Sequence, residues 1–160
     1  MIDAPLVLYR DVVRPEWVDF NHHLNVAFYV RAFYFATDAF FDHAGLYLDY
    51  IERTGCTLYV REMHVSYHRE MKEGAPMRFE TQVLDVDAKR LHLFHFLHHD
   101  TEGYLAATNE IMCMHVDTAT GRSAPFPPDR LKTLTAIAGA HASLPAPADR
   151  GSVIGIRRRR

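Results

Sequence analysis

Residues 26–44 (VAFYVRAFYFATDAFFDHA) contain no Gly and no Pro and are apolar around most of a helical circumference. A helix of that kind cannot lie on a surface and needs cover on several sides. Tyr29, Phe33, Ala36, Phe40 and Ala44 recur at helical spacing. Asn25 precedes the stretch as an N-cap residue and Gly45 follows it as a left-handed stop. The cover comes next in the chain. After Gly55 the hydrophobic period changes to two, and residues 57–70, 76–87, 89–99 and 104–117 read as four long strands. In the first, Tyr59, Met63, Val65 and Tyr67 are expected on one face; in the third, Leu91, Leu93, His95 and Leu97. Short turns join these strands, so neighbours are antiparallel. With a further strand over residues 5–14, the reading is α+β: an antiparallel sheet of about five strands wrapped around one long central helix.

A chain of 160 residues makes one domain, placed at residues 1–142 with a loop at 118–128 and a short helix at 129–142. Residues 143–160 carry Pro, Gly and Ser, end in Arg157, Arg158, Arg159 and Arg160, and read as a mobile, solvated tail. Eighteen basic against twenty acidic residues argue against a nucleic-acid partner. No apolar run reaches the ~18 residues of a membrane span. The acidic N-terminus does not suit a secretory signal. Cys56 and Cys113 lack metal-ligand spacing and suit a reducing, cytoplasmic setting. Eleven histidines invite a metal reading, but His92 and His98 share one strand face and His95 and His99 the other. No three of them converge locally and no metal is expected. His64 and His115 read as strand positions satisfied by hydrogen bonds.

Chemistry concentrates in Trp17–Asn25, directly before the buried helix. Asp19 places a carboxylate beside a helix N-terminus, whose free N–H groups form an anion site. Acyl transfer needs both parts, a base or nucleophile and a set of oxyanion donors. Read locally, Asp19 and Asn25 also make sense as plain turn and cap residues. Glu62 is a second carboxylate on the even face of its strand with Val60, His64 and Ser66; it is a buried acid if that face points inward and a surface residue if not. Asp38 and Asp42, one turn apart, either mark the wet stripe of the long helix, or Asp38 points into the pocket.

The stretch D-F-N-H-H-L-N-V-A-F-Y resembles the Asp…Gly-His…Asn…Tyr signature of the 4-hydroxybenzoyl-CoA-thioesterase-like hydrolases. W-V-D-F-N, T-G-C before a strand, E-M-H-V-S-Y, V-D-A-K-R-L-H-L-F-H and A-A-T-N-E followed by H-V-D resemble a narrower group, the betainyl-CoA thioesterases of carnitine breakdown. The resemblance covers roughly residues 8–127 and implies a hotdog fold that hydrolyses an acyl-CoA thioester. It puts Asp19 on the family's catalytic carboxylate and His23, Asn25 and Tyr29 on its His, Asn and Tyr positions. His22 departs from the family pattern by replacing the usual Gly. The implied reaction uses Asp19 as nucleophile or general base, with backbone N–H groups near His22 and His23 as oxyanion donors. Asn25 caps the helix or orients water and substrate. No cofactor is implied, since coenzyme A is part of the substrate. Its phosphates would take basic partners, for which Lys89 and Arg90 on a hairpin are the candidates. A quaternary-ammonium acyl group would take an aromatic cage, for which Trp17, Phe20, Phe28, Tyr29 and Phe33 are candidates. Hotdog relatives are homodimers or dimers of dimers with sites between subunits. Two alternatives remain on the same fold: a non-catalytic acyl-CoA-binding or sensing module, which His22 favours, and a hydratase, which needs an Asp/His dyad.

Overall fold

The computed structural model of the chain describes residues 1–156. The four terminal arginines expected in the tail lie outside the described residues. The elements are β1 (Leu6–Val12), a 3-10 turn (Pro15–Trp17), α1 (Val26–His43), α2 (Leu48–Thr54), β2 (Cys56–Tyr67), β3 (Pro76–Val86), β4 (Arg90–His99), β5 (Leu105–Asp117), β6 (Arg122–Ser123) and α3 (Pro128–His141). The sheet is antiparallel in the order β1-β3-β4-β5-β2, with β6 paired to the end of β5. The expected architecture is present, with α1 against the inner face of the sheet. Three elements have no counterpart in the sequence reading: the 3-10 turn, the two-turn α2, and the two-residue β6 within the expected loop.

α1 begins and ends as its flanking residues dictate. The Asn25 side chain accepts the Ala27 N–H at 2.9 Å, satisfying one of the helix's orphan donors. At the other end Gly45 takes φ +69°. Its N–H donates to the Asp42 carbonyl and the Leu46 N–H to that of Phe41, a Schellman close. A Cβ at Gly45 would run into the Arg130 guanidinium, which donates to the Ala44 carbonyl and so ties α3 to the negative end of α1.

Two apolar clusters follow the length of α1. Trp17, Leu24, Tyr29, Phe33, Met77 and Phe79 pack around its N-terminal half. Phe40, Phe41, Leu46, Leu91, Leu93 and Ile111 pack around its C-terminal half. Phe33 and Phe40 are fully buried, and each burial contributes about 2–3 kcal/mol.

β2 corrects the expected alternation. Val60 pairs with Cys113 and Glu62 with Met112, leaving Arg61 as an extra residue in a bulge. Met63, Val65 and Tyr67 keep the inner face, opposite Ile111, Asn109 and Ala107, but Tyr59 is moved to the outer face opposite Met114. The segment expected to be a mobile tail is also anchored in part. The Asp149 carboxylate accepts from the Thr108 hydroxyl at 2.9 Å and meets His68 Nε2 at 2.7 Å, and the Gly151 N–H donates to Glu110 at 2.7 Å.

Candidate active site

The site is built on a tight hairpin. Val18 and Leu24 pair across it, the Asp19 N–H donates to the His23 carbonyl, and the His22 N–H donates to the Asp19 carbonyl. Phe20, Asn21 and His22 therefore form a three-residue loop whose last residue must be left-handed. His22 sits there at φ +60°, the one non-glycine with positive φ among the described residues. The loop is fixed from below. Trp17 and Leu24 are buried, the Leu24 N–H donates to the Met71 carbonyl at 2.7 Å, and the Asn25 N–H donates to the Trp17 carbonyl at 2.9 Å.

Asp19 is half-buried at the head of this loop, and its Oδ1 accepts the Asn21 N–H at 2.8 Å. That contact orients the carboxylate toward the loop surface. The expected oxyanion donors are partly reassigned. The His22 N–H is consumed by the turn, and the Ala27 N–H by the Asn25 cap. The N–H groups of His23 and Val26 find no backbone acceptor among the described residues. The Val26 N–H is the first of α1, where helix donors and the macrodipole favour negative charge, and His23 precedes it by three residues. Asn25 caps the helix through its amide oxygen and so positions the helix end.

The other expected site residues divide. His23 meets Asp19 across the hairpin through the backbone, and the side-chain contact of its Nε2 is with Glu70 at 3.3 Å. Tyr29 is buried with its ring edge against Tyr67, and burial pushes its phenol up to about 12. Trp17 is 3% exposed, stacked on Phe28, with the Arg14 guanidinium over its ring at 4.7 Å. Phe33 is core against Phe79. The expected aromatic cage is therefore not present here: one ring face already holds a cation and another ring is buried. Phe20 stays 88% exposed.

Glu62 takes the surface alternative. The bulge at Arg61 turns it to the outer face, beside His64 and across from Met112, and away from Asp19. Lys89 and Arg90 are also not brought to Asp19. They lie at the start of β4, under the far half of α1, whereas the Asp19 loop joins the chain near Met71 and Lys72. Arg90 is held by Asp87, whose carboxyl its hydrogen bond depresses to about 2. Lys89 reaches Ser123 at 3.4 Å.

Around Asp38 the structure adds two tyrosines that sequence reasoning did not assign to it. Asp38, half-buried on α1, accepts the Tyr47 hydroxyl at 3.0 Å. A hydrogen bond to the same carboxylate raises the Tyr34 phenol above its ordinary value. The i, i+4 spacing of Tyr34 and Asp38 was the available signal. Tyr47 was not, because its approach depends on the turn after Gly45. Among the described residues, no cluster of His, Cys, Asp or Glu is arranged to hold a metal.

A sequence profile of the thioesterase-like superfamily matches residues 13–134. The chain is 42% identical over 151 residues to the betainyl-CoA thioesterase of Pseudomonas aeruginosa, spanning 94% of this chain and 95% of that protein. It is 35% identical over 155 residues to the L-carnitine dehydrogenase/betainyl-CoA thioesterase of Rhizobium meliloti, spanning 97% of this chain and 31% of that protein. A Staphylococcus aureus protein solved in complex with CoA superposes with a TM-score of 0.90 at 29% identity, covering 98% of this chain and 99% of the other.

Proposed function

The chain belongs to the thioesterase-like superfamily, and on that premise we propose that this acyl-CoA thioesterase opens its substrate at the Asp19 loop, releasing free acid and CoA. The observation that carries the reading is the juxtaposition at one hairpin of an oriented carboxylate and two backbone donors, those of His23 and Val26. Asp19 acts as general base on water or as nucleophile on the carbonyl carbon. In the first case the water proton passes to Asp19, the carbonyl oxygen takes the negative charge facing the two N–H groups, and collapse expels the CoA thiolate. Preorganised donors of this kind are worth about 3–4 kcal/mol each. Water is the only co-reactant and no cofactor enters.

Betainyl-CoA or another small acyl-CoA is the proposed substrate, from the likeness to the Pseudomonas aeruginosa enzyme. The proposed assembly is at least a homodimer, since large apolar side chains stand open beside the site, Phe20 at 88% and Val26 at 59% exposure. Among the described residues no helix is long and apolar enough to cross a membrane, and the two free cysteines suit the proposed cytoplasmic setting.

The test is thiol release from betainyl-, 4-hydroxybenzoyl-, short-chain and long-chain acyl-CoA by the native chain and by Asp19→Asn. The expected result is turnover on one class, lowered roughly 10²–10⁴-fold in the folded variant. Tight ester binding with no release by the native chain would favour the non-catalytic binding module. Undiminished release by Asp19→Asn would remove Asp19 from the reaction.

A further inference from the structure

We propose that Tyr34, Asp38 and Tyr47 of one subunit recognise the cationic head of an acyl group whose thioester is opened at the Asp19 loop of a second copy of the chain. The inference rests on the thioesterase reading above and adds to it the group that sets specificity.

A quaternary ammonium has no N–H to donate. It is held by charge and by aromatic surface. Asp38 supplies the charge, and Asp42 lies one turn further along the same helix. Tyr47 donates its hydroxyl to the Asp38 carboxylate at 3.0 Å, and Tyr34 stands one helical turn before Asp38 on the same face of α1. Tyr34 is 54% exposed, so the cluster is open to a ligand. Near Asp19 in its own chain the comparable groups are already engaged. The nearby carboxylate Glu70 is engaged by His23, and the Trp17 ring is covered by Arg14.

The geometry of α1 decides which copy contributes. Asp38 is twelve residues beyond the first helical residue, Val26, or about 18 Å along the axis. In a betainyl ester the charged nitrogen is one methylene away from the carbonyl carbon. A single chain cannot hold the carbonyl at Asp19 and the cation at Asp38. A two-fold contact can, because residue i of one copy then meets residue j of the other and the reverse. Bringing position 19 to position 38 puts the axis near residues 28–30, with the two α1 helices antiparallel. That part of α1 is bare: a cleft of about 490 Å³ runs along Ala27, Val30, Arg31 and Tyr34, and Val26 at its start is 59% exposed.

The test compares betainyl-CoA with its neutral isostere, tert-butylacetyl-CoA. Asp38→Asn should raise KM for the cationic ester roughly tenfold or more and leave kcat and the neutral ester unchanged. The unchanged neutral ester also shows that the variant is folded. Mixing Asp38→Asn with Asp19→Asn subunits should then restore a component with native KM for betainyl-CoA, because one site of each mixed dimer regains both residues. Equal effects on the two esters, or none on either, would overturn the cation site. Loss of selectivity without recovery on mixing would overturn the second-copy assignment. A native chain inactive on both esters would instead defeat the thioesterase reading itself.

Discussion

At position 22 an imidazole-bearing residue holds a backbone conformation that most side chains avoid. The hairpin has three loop residues, and the third must turn left-handed for the strands to close. A left-handed residue other than Gly costs roughly 1–2 kcal/mol, and the added unfolded-state freedom of a glycine returns about 0.4–1 kcal/mol of that. His22→Gly is therefore expected to stabilise the fold by up to about 1 kcal/mol. The measurement is the urea midpoint at unchanged slope, and a midpoint that stays or falls would show that His22 bears no strain. Asp19, the loop and the Asn25 cap were legible in the sequence because turn and cap chemistry depends on near neighbours. The partners of His23 and Trp17 were not. Glu70 and Arg14 reach them through the Leu24–Met71 pairing and the 3-10 turn, and neither contact leaves a local pattern. The expected aromatic cage failed for the same reason, because five aromatic residues close in sequence divide between core and surface once α1 is packed.

Between elements, His95 is the polar rivet of the core. It is fully buried on β4, 3.1 Å from Thr37 of α1 and 2.9 Å from Thr81 of β3. The Thr37 hydroxyl already donates to the Phe33 carbonyl, so His95 Nε2 carries the proton and Nδ1 accepts from Thr81. Burial pushes the imidazole from its ordinary 6.5 down to about 3. Between those values the unfolded chain binds the proton and the folded chain does not. The contribution of neutral His95 is thus full above pH 6.5 and declines as pH falls toward 3. One such group costs about 1.4 kcal/mol on going from about pH 7.5 to about pH 5.5. Urea unfolding at the two pH values should show this loss in the native chain and a smaller one in His95→Gln. Parallel losses would remove His95 from the linkage. Periodicity made α1, β3, β4 and β5 legible nearly to the residue, because each buries one clear face. It could not show the bulge in β2. An extra residue changes which face a side chain takes without changing composition, and Arg61 thereby reversed Tyr59 and settled Glu62 on the outside.

For the whole molecule, one edge of the sheet remains to be explained. β2 is twelve residues long and has a partner on one side only, β5. Soluble proteins blunt such edges with charge, proline or cover. Here the strand has a bulge and exposed charges at Arg61 and Glu62, yet it also exposes Tyr59, Val60, Met63 and Tyr67 at 39–48%. Tyr67, the last residue of this strand, meets Tyr29 of α1 and donates its hydroxyl to the Val26 carbonyl at the start of that helix. A single copy therefore leaves open an apolar surface that includes both a strand edge and the site. Burying that surface against a second copy removes the edge and encloses the Asp19 loop, which lowers the local dielectric and strengthens the backbone donors. Light scattering is expected to give at least twice the 18.4 kDa chain mass. Val60→Lys combined with Met63→Lys should yield a folded monomer, since both side chains are exposed in one copy and neither is needed for its core. Turnover of that monomeric variant should fall well below that of the native chain. A native chain that is monomeric at working concentration and fully active would separate the chemistry from assembly and leave the exposed edge without this role.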